Sequence, residues 1–518
     1  MMTLRRLFVS FLIVVLCACA SLPPQTGRTP THAQTNTENT RLGATFGPEE
    51  QKHPGDNAFH LLLDPMDALV ARAVLAEAAD RTLDLQYYIW HDDLTGRALA
   101  ASLLRAADRG VRVRVLLDDL GTNADDQLLV ALNSHPNLQI RLFNPVASRS
   151  FKTLGAGFEF FRVNRRMHNK ALIADNQAAI LGGRNIGDEY FGASSAVAFG
   201  DLDVLVHGPI VRQVSDAFDA YWNADASYPI DALTGRSADP AALADYRAKL
   251  DTYLLSEQDS PYVAQARQRV TDVLHGSDIK YAWGKATLLY DDPSKITRTP
   301  GDTQGHLMSQ LKALNLRPEQ QMLIVSPYFV PGKAGVAWLR AMTERGVRVT
   351  ILTNSLAATD VSAVHAGYAR YRKDLLAAGV RLYELKPVAT AGDGAKKKST
   401  FGSSKASLHA KTYVFDRKSI FIGSMNLDPR SIELNTEIGV YCESEAAAAQ
   451  VVDGVEPNLD RMAWRLEQRT DANGASRIVW IDTDASGTTT ELDTEPDVSA
   501  LRRAGIWFLG LLPIESQL

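Results

Sequence analysis

Two short stretches of this 518-residue sequence hold side chains able to move a phosphoryl group. The first begins His168-Asn-Lys170, continues to Asp175 and closes on Gly182-Gly-Arg-Asn185. The second begins His409-Ala-Lys411, continues to Asp416 and closes on Gly423-Ser424-Met-Asn426. Both obey His-x-Lys-x4-Asp-x6-Gly-(Gly/Ser)-x-Asn, and from His168 to His409 is 241 positions. At ordinary residue frequencies one chance match in this length is on the order of one in ten thousand. An imidazole titrates near neutrality, so it can serve as nucleophile or as acid and base. Lys170, Lys411, Asn185, Asn426 and Ser424 are candidates to hold phosphate oxygens. Neither motif clusters carboxylates or adds a second nearby histidine, and a protonated lysine is no ligand, so no metal or other cofactor is expected.

The elements around these residues repeat. Leu83 to Trp90 and Val111 to Leu117 alternate as strands, with a helical pattern from Gly96 to Arg109 between them. Gln321 to Tyr328, Gly335 to Glu344 and Arg345 to Leu352 follow the same order, and Arg109-Gly-Val-Arg-Val matches Arg345-Gly-Val-Arg-Val. Strand, helix, strand predicts parallel βαβ units in an α/β fold, present twice by duplication. Each histidine and lysine at i and i+2 shares one face of a strand, each Asp opens a turn, and small residues let the Asn approach. One motif is half a site. Two, related by a pseudo-twofold axis, face one pocket.

This doubled motif resembles that of the phospholipase D superfamily. The words Arg165-Arg-Met-His-Asn-Lys170, Gly182 to Tyr190, Phe199-Gly-Asp-Leu-Asp203, Leu408 to Tyr413, Asp428-Pro-Arg-Ser431 and Asn435-Thr-Glu437 look like the bacterial cardiolipin synthase C type. The resemblance runs from about Asp67 to the C-terminus. It implies two phospholipase D-type lobes, each a mixed sheet flanked by helices, with the site between them. It also implies transfer of a phosphatidyl group to phosphatidylglycerol through a phosphohistidine on His168, with His409 as acid and base. The residues alone do not separate the two histidines. Gly183 departs from the serine common at that position.

Other residues are weighed against plainer roles. Asp201 and Glu437 are expected to orient the imidazoles, as carboxylates do in triads. Asp175 and Asp416 belong to the catalytic His-Lys-Asp words, although holding a turn is the plainer reading. Arg162, Arg165 and Arg166, with Lys396, Lys397, Lys398 and Lys405, are either a receiver for anionic head groups or solvated loop charge. Tyr88, Trp90, Tyr328 and Phe329 are core or acyl-path aromatics. His365 is the remaining histidine of interest.

The ends set the context. Arg5 and Arg6 precede the apolar run Leu7 to Leu16, too short at ~15 Å to span a bilayer, so residues 1–18 read as a signal peptide with Cys19 as lipidation site. Residues 19–57 read as a flexible tether, 58–236 as the first lobe, 237–279 as a helical connector, 280–460 as the second lobe and 461–518 as an extension. In the extension, Leu501 to Leu512 is either a buried helix or an interfacial one. Lys+Arg 55 against Asp+Glu 60 gives a net charge of −5, a poor footprint for nucleic acid. Cys442 is the only cysteine past the leader, which excludes an intrachain disulfide framework there. The expected place is the bacterial envelope, membrane-anchored and facing the periplasm, with phosphatidylglycerol and phosphatidylethanolamine as candidate substrates. A phospholipase D hydrolase, a nuclease and a non-catalytic envelope lipoprotein are the alternatives.

Overall fold

A computed structural model describes residues 21–25, 28–122, 125–150, 152–194, 197–236, 239–274, 279–299, 301–387, 405–470, 474–484 and 486–518. The leader with Cys19 and the run Lys396 to Lys398 lie outside the described residues.

The first lobe is a mixed sheet. Its strands run, edge to edge, Asn57–Leu62, Asp203–His207, Ala178–Gly182, Ala171–Ala174, Thr82–Tyr87, Arg112–Asp118, Leu138–Phe143 and Ser227–Pro229. The second lobe repeats that order with Ala282–Tyr290, Ile438–Glu443, Ser419–Gly423, Lys411–Phe415, Gln321–Val325, Arg348–Asn354, Arg381–Leu385 and Ala463–Thr470. In each lobe three neighbouring strands are parallel, linked by crossover helices such as Leu94–Asp108 and Gly332–Thr343, and the remainder are antiparallel. The helix Leu94–Asp108 starts where Asp93 accepts the Gly96 N–H, and buries Leu99, Leu103 and Leu104 on the sheet.

The two sheets join into one of 18 strands, because Asn57–Leu62 pairs with the start of Ala282–Tyr290 (Ala58 opposite Trp283). A second junction is the parallel pair Val197–Gly200 with Lys405–Leu408. Both junctions bring the ends of the motif strands together. The connector forms two helices, Pro240–Ser256 and Pro261–Leu274. The strands Ser476–Thr483 and Thr489–Leu492 extend the second sheet, and the helix Ala500–Gly510 follows. Among the described residues no helix is long and apolar enough to cross a membrane.

The segment read as a tether behaves otherwise. Residues 28–36 lie along the first lobe, where Thr31 O accepts from Arg114 at 2.9 Å and Thr29 O accepts from Arg141 at 3.1 Å. Thr31 Oγ1 accepts from Trp222 Nε1 at 2.9 Å, and Arg41–Lys52 is a helix capped by Thr40. Polar composition predicts a free chain, but two buried guanidiniums need carbonyl acceptors, and this strand of backbone supplies them.

Candidate active site

The histidines stand just ahead of their strands, where the backbone bonds to the opposite lobe. His168 N–H donates to Thr436 O at 2.9 Å, and His409 N–H donates to Gly200 O at 2.7 Å. The next residue in each case supplies a carboxylate. His168 Nδ1 lies 2.8 Å from Glu437 Oε2, and His409 Nδ1 lies 2.6 Å from Asp201 Oδ2. Each imidazole is thus held at two points by the other half of the molecule. The pairing is crossed, since each carboxylate bonds the imidazole of the other lobe. With Nδ1 engaged in both rings, Nε2 is the nitrogen left for chemistry.

Lys170 Nζ donates to His168 O at 2.5 Å, and Lys411 Nζ donates to His409 O and lies 2.9 Å from His409 Nδ1. Aromatic rings flank the imidazoles edge-on: Tyr88 is 5.2 Å from His168, and Tyr190 is 5.3 Å from His409. Phe199 lies 5.1 Å from His409. Tyr190 and Phe199 were not singled out from sequence. Their positions inside the words Gly182 to Tyr190 and Phe199 to Asp203 were the available signal.

Electrostatics separates the two halves. Burial pushes the His168 imidazole well below its ordinary range, and Lys170 and Lys411 push the same way. His409 is lowered by burial and then by Lys411, with Asp201 opposing. Burial acts to raise Asp201, but His409, Lys411 and Arg184 hold it below the usual carboxylate range. Burial raises Glu437 to about 7, against Lys170 and the Ser424 hydroxyl. His409 therefore faces a firmly ionised carboxylate, and His168 faces one that takes up a proton near neutrality. Burial brings Lys411 down to about 8 and Lys170 well below its ordinary value. A phosphate anion beside both ammonium groups would relieve that penalty.

Several expected roles change. Ser424 does not present its hydroxyl to a phosphate: Oγ donates to Glu437 Oε2 at 2.5 Å and accepts from Ile438 N–H at 3.0 Å. Asn185 is also engaged, accepting from Ile89 N–H at 3.2 Å and donating to Tyr190 OH at 2.9 Å. Asn426 Nδ2 makes only a long 3.4 Å contact with Ser431, and its Oδ1 is buried with no partner among the described residues. Asp175 and Asp416 sit at the far ends of the motif strands, in two-residue turns whose φ values are positive at Asp175, Asn176, Asp416 and Arg417. Asp175 accepts from the N–H groups of Asp80, Arg81 and Thr82, and Asp416 from those of Glu319, Gln320 and Gln321. They fasten strands and touch no imidazole.

The arginines ahead of the first motif are likewise consumed. Arg162 pairs with Glu159, Arg165 donates to Lys295 O and Arg298 O, and buried Arg166 pairs with Asp118 at 2.7 Å. These side chains are engaged within the protein, Arg162 and Arg166 inside the first lobe and Arg165 across to the second. Tyr328 OH donates to Asp360 and Phe329 is core. His365 is buried against Glu495 at 3.0 Å and tethers the extension. Outside the cleft, His91, Asp93 and Glu189 bring ligand-type atoms within 4.8 Å of one another. Asp93 there caps a helix, and His91 pairs with Glu189 at 3.2 Å, so structural contacts account for them.

Known proteins share this arrangement. Residues 73–222 and 312–457 match the family described as cardiolipin synthase, PLD-like domain. The chain is 43% identical to cardiolipin synthase C of Escherichia coli (strain K12), over 92% of this chain and 99% of that protein. It is 29% identical to cardiolipin synthase A of Pseudomonas entomophila (strain L48), over 78% of this chain and 69% of that one. In fold it is similar to the crystal structure of phosphatidylserine synthase from Haemophilus influenzae Rd KW20, with TM-score 0.56 and 14% identity, covering 92% of this chain and 100% of that chain. Two matched segments, one per lobe, and near full-length identity to a relative place the chain in a family: it belongs to the cardiolipin synthase group of phospholipase D-like enzymes.

Proposed function

We propose that the chain makes cardiolipin by moving a phosphatidyl group onto phosphatidylglycerol, with His168 as nucleophile and His409 as acid and base. One contrast carries the assignment of roles: against its burial, Asp201 beside His409 is held below the usual carboxylate range by His409, Lys411 and Arg184, whereas burial raises Glu437 beside His168 to about 7. An ionised Asp201 favours a proton on His409, which suits the group that must protonate a departing alkoxide. His168, pushed well below its ordinary range, keeps a free Nε2 lone pair through neutral pH.

The steps balance. His168 Nε2 bonds to phosphorus of the donor, phosphatidylglycerol or phosphatidylethanolamine, as the bond to the head-group oxygen breaks and His409 gives that oxygen its proton. His409 then takes the proton of the incoming phosphatidylglycerol hydroxyl, whose oxygen bonds to phosphorus and releases His168. Lys170 and Lys411 stabilise the charge on the equatorial oxygens, worth roughly 3 kcal/mol per donor of this kind. No step needs a metal. The family relatives and the leader's Arg5-Arg6 and apolar run support action at an envelope membrane, with Cys19 lipidated.

Lipid analysis after incubation with phosphatidylglycerol, with and without phosphatidylethanolamine, tests this. Cardiolipin from wild type, none from His168→Ala or His409→Ala, and a phosphatidyl group on histidine when wild type is rapidly denatured during turnover, absent from His168→Ala, are expected. Phosphatidic acid as the sole product would assign hydrolysis instead, and no lipid turnover would overturn both.

A further inference from the structure

The helix Ala500–Gly510 buries only Ile506, yet its sequence is apolar. Leu501, Trp507, Phe508 and Leu511 are 84%, 69%, 59% and 61% exposed. At 100° per residue they fall, with Ala504, on one outward face. Of the two readings, a buried helix and an interfacial one, the exposures favour the second: Ile506 packs on Leu356 and Ala366, while the other large apolar side chains face away from the protein.

A second stripe lies on the first lobe. Leu154, Phe158 and Phe161 are 55%, 54% and 91% exposed, spaced i, i+4 and i+7 through the short helices Lys152–Phe158 and Phe160–Val163. The two stripes are distant in sequence, but the residues that follow them are bonded: Asn164, which caps the helix Phe160–Val163, donates to Gln517 Oε1 at 2.9 Å, and Gln517 is six positions after Leu511. Arg430 clamps both sides, donating to Asn164 O at 3.0 Å and Gln517 O at 3.2 Å. This junction is close to both motifs in sequence: Asn164 is four residues before His168, and Arg430 is four after Asn426.

We propose that these two stripes form one bipartite surface that docks on a phospholipid bilayer, with the mouth of the cleft between them. The inference rests on phospholipid being the substrate, because the acyl chains of such a molecule are retained in a bilayer and the cleft must be brought to them. The composition fits that occupant. Tryptophan and phenylalanine suit the head-group boundary, half-exposed Arg502 suits anionic lipid, and an exposed apolar patch of this kind marks an interaction site. Two stripes, one on the first lobe and one on the C-terminal extension, tied through Asn164, Arg430 and Gln517, are placed to seat the cleft and not merely to tether the chain.

Full-length protein reconstituted in phosphatidylglycerol–phosphatidylethanolamine vesicles tests this apart from any leader-mediated attachment. Trp507 is read as the difference between wild type and Trp507→Phe, with phosphatidylglycerol brominated in its acyl chains as quencher. Blue-shifted, bromine-quenched Trp507 emission is expected. Phe158→Ser with Phe161→Ser is expected to lower turnover of vesicle lipid by about tenfold or more. Turnover of monomeric short-chain phosphatidylglycerol should stay within about twofold, since neither residue touches the imidazoles. Water-like, unquenched Trp507 emission in vesicles would overturn the proposal. So would a blue shift that depends on protein concentration without lipid, which would assign the surface to a second copy. Absence of short-chain turnover in wild type would count against phosphatidyl transfer alone, leaving the quenching result to stand.

Discussion

His168 of the first lobe is bonded at 2.8 Å to Glu437 of the second. The contact is buried, so this imidazole is oriented only when the lobes are joined. Glu437→Gln keeps the shape and removes the charge. A hydrogen bond to a charged group is worth ~1.5–3 kcal/mol, so kcat should fall roughly 10- to 150-fold. KM for short-chain phosphatidylglycerol should change little, because Glu437 positions an imidazole and does not face the lipid. A rise in KM with kcat intact would refute the positioning role.

Gly183 and Ser424 occupy equivalent places, and their difference matches their carboxylate partners. A Cβ on Gly183 would stand 2.1 Å from Asp201 Oδ1, whereas Ser424 Oγ bonds to Glu437 at 2.5 Å. Gly183→Ala should therefore displace Asp201 and cost roughly tenfold or more in turnover, a loss of one charge-assisted contact. Ser424→Ala removes a donor that lowers Glu437, so the acidity of that carboxyl should weaken further. Activity of Gly183→Ala equal to wild type would show that the glycine is incidental.

The duplicated words made the paired imidazoles legible, since one half-site implies another when the fold repeats. The crossing of the carboxylates was not. Asp201 and Glu437 each follow their own histidine in sequence, and only the two strand junctions reveal that they reach the other lobe. Composition misled at the N-terminus for a related reason: Thr29 and Thr31 look like linker until buried Arg141 and Arg114 claim their carbonyls. At Leu501 to Leu512 the pattern was readable, but periodicity does not say whether the apolar side meets protein or lipid.

The pH profile should carry this asymmetry. His409 and Lys411 both act protonated, and burial lowers the first and brings the second down to about 8, so kcat/KM should fall on the alkaline side at or below about 8. His168 must be unprotonated to attack and is shifted down, so the acid limb of the free enzyme should lie below the ordinary histidine value of ~6.5. An alkaline limb near 10, where an unburied lysine titrates, would contradict the stated cause.

Asp175 offers the sharpest separation of stability from chemistry. Its carboxylate accepts three N–H groups, from Asp80 at 2.8 Å, Arg81 at 2.7 Å and Thr82 at 2.9 Å, and it is fully buried. Asp175→Ala leaves those donors unpaired at the start of a central strand, which should cost ~2–4 kcal/mol of unfolding free energy. Asp416→Ala removes the matching clamp, but that carboxylate is half-buried and water can replace part of it, so the loss should be smaller. In both variants the folded fraction should keep kcat within a few-fold, because neither group lies near an imidazole. Denaturant titration read beside kcat per folded molecule decides the matter. A collapse of kcat in protein of unchanged stability would return the two aspartates to the chemistry.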